Sequence, residues 1–184
     1  MRRKFVCYAI LFLFVLTRCS DLDESDIEHL LNEQHVYPSV VETTLFCNSN
    51  RDVTRVIDAG LVRDGFLTAQ LEHTSADIGK PLIYFTDKAT PYLLPTSDTL
   101  KSFYEQKLKV AVEHFLSVVN IEISASGKKA VVDYLTVIKD PTPFAVLYRQ
   151  DISGEHPRRT FFSLKDDGWH WDGRIVKMSP KRKD

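Results

Sequence analysis

The sequence lacks the spacings by which metal-binding and catalytic chains usually announce themselves. Three cysteines are present and none stands in a Cys-x-x-Cys pair. None of the six histidines (His29, His35, His73, His114, His156 and His170) has another at the i, i+4 spacing of a zinc-binding helix. Seven scattered glycines form no Gly-x-Gly-x-x-Gly loop for phosphate, and no Gly-x-Ser-x-Gly elbow presents a nucleophile. A basic excess is also missing: 24 Lys and Arg stand against 25 Asp and Glu, a formal net charge of −1, which disfavours a duplex-binding protein. The composition implies no cofactor and no metal, and it suits one ordinary globular domain.

Long apolar runs are scarce as well. The strongest, Phe5 to Leu16, follows Arg2, Arg3 and Lys4 and is closed by Arg18. A membrane-spanning helix needs roughly 20 apolar residues, so this run is too short to span. A positive start followed by an apolar stretch has the order of a secretory signal, and the positive-inside bias places the remainder outside the cytoplasm. The segment Leu16-Thr17-Arg18-Cys19 resembles the lipobox of bacterial lipoproteins. That resemblance implies lipidation of Cys19 and anchorage to a membrane through the N-terminal lipid. Ser20 after the Cys implies sorting to the outer membrane, facing the periplasm. A soluble periplasmic protein with a Cys19–Cys47 disulfide is the competing account, since an acylated sulfur has no thiol to oxidise. Loss of residues 1–18 removes four basic residues and no acidic ones, leaving an exported form of about −5.

After this signal the spacing of Ile27, Leu30, Leu31 and Gln34 predicts a short amphipathic helix, with acidic residues at its positive end. Val36 to Cys47 reads as an extended segment. Val53, Val56 and Ile57 predict a helix that stops at Gly60. Phe66–His73 and Leu82–Thr86 read as partner strands across a polar loop. Glu105 to Ile123 is rich in β-branched residues and reads as strand, with a helix over Tyr104–Phe115 as the alternative. Four further strands are expected at Ala130–Ile138, Phe144–Arg149, Thr160–Leu164 and Trp169–Val176, joined by Pro- and Gly-containing turns. The expected organisation is a signal at 1–18, a tether with a short helix at 19–35, one α+β domain at 36–176 and a basic tail at 177–184.

Residues 51–93 contain the words Asp58-Ala-Gly-Leu-Val62, Ile83-Tyr-Phe-Thr-Asp87-Lys88 and Tyr92-Leu93. These resemble the last helix and wing of a winged helix. The resemblance implies a winged-helix-like N-terminal half, followed by an antiparallel sheet in the C-terminal half. Function does not follow from it, because Arg51 and Arg55 are balanced by Asp52 and Asp58, leaving almost no net attraction for phosphate. In layout the chain resembles small exported proteins of Gram-negative bacteria.

One segment has the composition of a recognition surface. Strand alternation puts Trp169 and Trp171 on one face and His170 with Asp172 on the other. Both indoles could cover the core face. Alternatively Trp171 is exposed beside Arg158, Arg159 and Arg174, and these with Trp169 form an aromatic and basic partner-contact patch, with Glu155 to Arg159 as its loop rim. Cys47, between Phe46 and Asn48, reads as a small packed hydrophobe rather than a nucleophile. Together these features favour a non-enzymatic envelope protein that binds another protein, with no nucleic-acid partner. The alternatives are an envelope enzyme or small-ligand binder with a site built from distant His and carboxylates, and a membrane-tethered DNA-binding regulator.

Overall fold

A computed structural model describes residues 21–72 and 79–178. Cys19, His73 and the tail beyond Met178 lie outside these residues. Asp23 caps helix α1 (Glu24–Glu33): its carboxylate accepts the Asp26 N–H, and Asp26 reaches back to the Asp23 N–H. The predicted apolar face is present. Ile27 and Leu31 are completely buried, which contributes about 1.5–3 kcal/mol each relative to exposure.

Strand β1 (Ser39–Phe46) is followed by α2 (Asn50–Asp58), which is capped by Ser49. Strands β2 (Leu67–Ala69) and β3 (Ile83–Phe85) pair antiparallel as a separate two-stranded sheet. They are much shorter than expected, because few neighbouring residues find a ladder partner. A 3-10 turn at Asp87–Tyr92 and the short helix α3 (Asp98–Ser102) lead into β4 (Glu105–Ile123). The strand reading of this segment therefore holds over its helical alternative.

Strands β5 (Lys129–Lys139), β6 (Glu155–Lys165) and β7 (Gly168–Lys177) complete a curled antiparallel sheet in the order β1-β4-β5-β6-β7. The architecture is a single mixed α+β domain. Two expectations are corrected. Phe144–Arg149 is not a strand: Pro143–Leu147 forms a 3-10 turn, started by Pro143 and by the Thr142 hydroxyl accepting the Phe144 N–H. Glu155–Arg159 is not a loop rim but the first half of β6, paired with Asp133–Val137 of β5.

Alternation along β5 and β6 buries Ala130, Val132, Tyr134 and Thr136, with Arg158, Thr160 and Phe162, and turns the intervening residues outward. All three core clusters lie against this inner face. One packs Leu22, Ile27 and Leu31 on Tyr134, Phe162 and Trp169. Another packs α2 and the β2–β3 hairpin, through Val53, Val56, Leu67 and Ile83, on Leu45, Leu108 and Phe144. Between them Val41 and Ala111 meet Ile138 and Tyr148. Register shifts at Phe115/Ser117 and Val118/Asn120 insert Leu116 and Val119 as extra residues in β4, and such bulges bend a strand. Among the described residues, no helix is long and apolar enough to cross a membrane.

Candidate functional site

The sequence-predicted contact residues do not share a surface. Trp169 is buried in the core, and Trp171 packs against the same cluster and donates its Nε1–H to the Thr160 hydroxyl at 2.7 Å. Both indoles therefore cover the inner face. Arg158 points inward too and is bound by Glu113, with Nη2–Oε1 at 2.7 Å and Nε–Oε1 at 3.0 Å. Arg159 and Arg174 face outward: Arg159 makes a two-pronged bond to Asp133 at 2.6 and 2.8 Å, and Arg174 lies over the Phe161 ring. The strand period of two divides the five residues between opposite faces. The expected patch, with Trp171 exposed beside Arg158, Arg159 and Arg174, is therefore corrected. His170, on the outward side, bonds Asp167 at 2.8 Å, and this bond holds the Asp167 carboxyl below its usual range.

A concave site lies elsewhere, along β1. One cavity of about 540 Å³ is lined by Val40, Val41 and Glu42, by Glu113, by Tyr148 to Ser153 in part, and by Glu155–Arg158 with Lys177 and Met178. A second, of about 350 Å³, is lined by Thr43, Thr44 and Phe46, by Ser49, Arg51, Asp52 and Arg55, and by Leu147–Gln150. Tyr148 and Gln150 belong to both. Consecutive strand residues point to opposite faces, so a cavity lined by Val40, Val41 and Glu42 together opens on the strand's edge. Among the described residues, strand β1 is at the end of its sheet, with β4 as its only strand partner. The two cavities thus form one groove between the edge of β1 and the 147–153 segment.

Its ends differ in charge. At the larger cavity Glu113 is neutralised by Arg158 and Glu42 by Lys107, leaving the carboxylates Asp151 and Glu155 against Lys177. Ser153 donates both its backbone N–H and its hydroxyl to Asp151, which lowers that carboxyl's pKa and keeps it ionised. At the smaller cavity Asp52 is used up: its Oδ1 takes Arg55 at 2.6 Å and its Oδ2 accepts the Phe46 N–H at 2.9 Å. Arg55 also donates to the Leu147 carbonyl. Arg51 and Arg149 remain exposed and unpaired among the described residues, giving this end two free positive charges.

Beneath the groove the polar groups are tied together. Glu113 Oε1 also accepts the Thr136 hydroxyl at 2.5 Å, and the Tyr37 and Tyr134 hydroxyls meet at 3.0 Å. Burial pushes both phenols above their ordinary pKa. Nε2 of His156, at the groove, and Nε2 of His114 are buried without a hydrogen-bond partner among the described residues. Among the described residues no three His, Cys, Asp or Glu side chains converge to hold a metal ion. Cys47 is buried and unpaired among the described residues; burial, then the Asp52 charge, pushes its thiol up to about 12, so it stays protonated and unreactive. Comparison with protein-family models, with curated proteins and with solved structures gave no match for this chain.

The groove residues escaped sequence reasoning because they come from segments about 100 residues apart. Thr43, Arg51 and Arg149 carry no spacing signal. The only hint was negative: Pro141 and Pro143 signal a stop, and that stop delivers Tyr148 to the edge of β1.

Proposed function

We propose that this chain is an exported protein, anchored at the outer membrane through lipid on Cys19 and facing the periplasm, that binds another protein without catalysing a reaction. The observation that supports a binding role is the groove beside the edge of β1, which has no second strand neighbour among the described residues, with opposite charge at its two ends. Edge strands present free backbone donors and acceptors, and an extended segment of a second protein is the chemistry that completes them. Support for a non-catalytic role comes from the side chains themselves: Arg158 and Glu113 neutralise each other, and the Cys47 thiol is kept protonated.

The α2 and β2–β3 segment fits this reading as a winged-helix-like unit used for support, packed on the near half of the sheet. A DNA-reading role is disfavoured, because Arg55 is committed to Asp52 and to the Leu147 carbonyl, leaving Arg51 as the helix's one free cation among the described residues. The second reading, a small-ligand binder or enzyme, draws on His156, whose unpartnered ring nitrogen lies near Glu155 and Asp151 at the groove.

Two experiments test the proposal. Palmitate should label the wild type and not Cys19→Ala, which should also leave the membrane fraction; unlabelled wild type would sink the anchor. A photoreactive side chain at Thr44 or Gln150 should give one discrete adduct in cells, identified by mass spectrometry and reproduced with the purified partner. The same group at exposed Val119, on β4 away from the groove, should give none. Equal adducts from all three positions would reject the groove as the binding surface.

A further inference from the structure

We propose that the groove takes an extended partner segment lying antiparallel to β1, with an acidic residue at the arginine end and a basic residue about four positions later at the carboxylate end. This rests on the protein-binding reading above and adds the chemistry of the partner. Three features carry it. The sheet is antiparallel throughout, and an added strand in the same sense makes the perpendicular hydrogen bonds of that ladder. The backbone edge is free only in part: Asp52 occupies the Phe46 N–H, so an added strand stops at Thr44. Its N-terminal half then lies beside Arg51 and Arg149, and its later half beside Asp151 and Glu155.

Spacing follows from strand geometry. The carboxylate end is centred near Val41 and the arginine end near Thr44, about 10 Å at 3.3 Å per residue. Side chains on one face recur every second residue, so four positions is the even spacing that spans this distance and keeps both charges on the same face. Val40 and Phe46, each about half exposed (49% and 47%), offer apolar contact at either end. Charges exposed at a surface contribute little affinity but discriminate strongly between right and wrong orders, because the wrong order sets like charges together at both ends.

The test uses the detergent-solubilised full-length protein at low ionic strength and two end-labelled peptides of identical composition. One is acetyl-Thr-Glu-Val-Thr-Val-Lys-Thr-amide; the other exchanges Glu and Lys. Fluorescence polarisation should show the first binding about tenfold more tightly. In the triple variant Arg51→Glu, Arg149→Glu, Glu155→Lys, whose three positions are exposed and unpaired among the described residues, the preference should invert. Equal binding of the two peptides, binding of neither, or an order unchanged in the variant would each overturn the inference. Should the Thr44 crosslink still capture a partner in that case, the protein-binding reading survives and only the charge order fails.

Discussion

Arg158 of β6 and Glu113 of β4 form an ion pair across the intervening strand β5, Nη2 to Oε1 at 2.7 Å, with the two side chains only 8% and 13% exposed. Desolvating two charges is costly, and the pair is tolerated because Thr136 and the Pro157 carbonyl complete its hydrogen bonds. Glu113→Ala strands Arg158 without its counter-charge and should cost about 3–5 kcal/mol. Replacing both partners, Glu113→Leu with Arg158→Met, should cost much less. Urea denaturation of the three proteins checks this; equal losses for the single and double variants would mean the penalty is lost packing rather than an unpaired charge.

The Trp171 indole gives a second, smaller test. Its Nε1–H donates to the Thr160 hydroxyl, which in turn donates to the Arg174 carbonyl. Thr160→Val keeps the shape of a buried residue while leaving the indole donor unsatisfied, and should destabilise by about 1–3 kcal/mol. Trp171→Phe removes the donor as well. In the Trp171→Phe background, Thr160→Val should cost clearly less than it does in the wild type.

Cys47 should be silent until the protein unfolds. Its sulfur is buried and its thiol is held protonated up to about 12. Iodoacetamide at pH 8 should leave Cys47 unmodified in the native protein and modify it fully in strong denaturant. Rapid native labelling would show that the cluster around Leu45, Val53 and Leu82 opens easily.

Alkaline pH should weaken the fold, and the sign follows from the direction of the shifts. Cys47, Tyr37 and Tyr134 all have pKa values raised by burial above their ordinary 9.0 and 10.0. The folded state therefore holds protons that the unfolded chain releases, so the stabilisation is complete below pH 9 and falls as pH rises beyond it. Thermal midpoints measured from pH 8 to 11 should decline, and Tyr37→Phe and Cys47→Ala should each flatten that decline. Parallel curves for these variants and the wild type would assign the loss to other groups.

A helix staple gives the last prediction. Asp52 joins α2 to β1 through the Phe46 N–H, and to Arg55, which reaches the Leu147 carbonyl. Asp52→Ala should leave a part-buried amide and a guanidinium without their acceptor, costing about 2–4 kcal/mol in chemical denaturation.

Much of the scaffold was legible in the chain. The face of α1 follows from Ile27 and Leu31, and the identity of β4 follows from Val110, Val112, Val118, Val119 and Ile121, where β-branched residues override a helical alternative. The two indoles were correctly placed on one face by alternation alone. Phe144–Arg149 was misread because an apolar run of strand composition follows Pro143, while the Thr142 hydroxyl and the proline's fixed φ turn the backbone instead. The Arg158–Arg159 pair misled for a similar reason: adjacent residues in a strand point to opposite faces, so a cluster in sequence is divided in space.

The amino-acid order by itself determined α1, α2 and the long strands β4, β5 and β7, the apolar face of α1 and of the Trp169–Trp171 segment, and that Cys47 packs rather than reacts, because these depend on periodicity and side-chain type within a few residues. The tertiary structure alone decided the groove. Its walls draw on residues within 40–46, 49–55 and 147–158, with Glu113, Ile138, Lys177 and Met178. Their meeting depends on how far β4 curls, on β1 having no second strand neighbour among the described residues, and on which charges are neutralised by partners as distant as Glu113 is from Arg158, none of which a local pattern encodes.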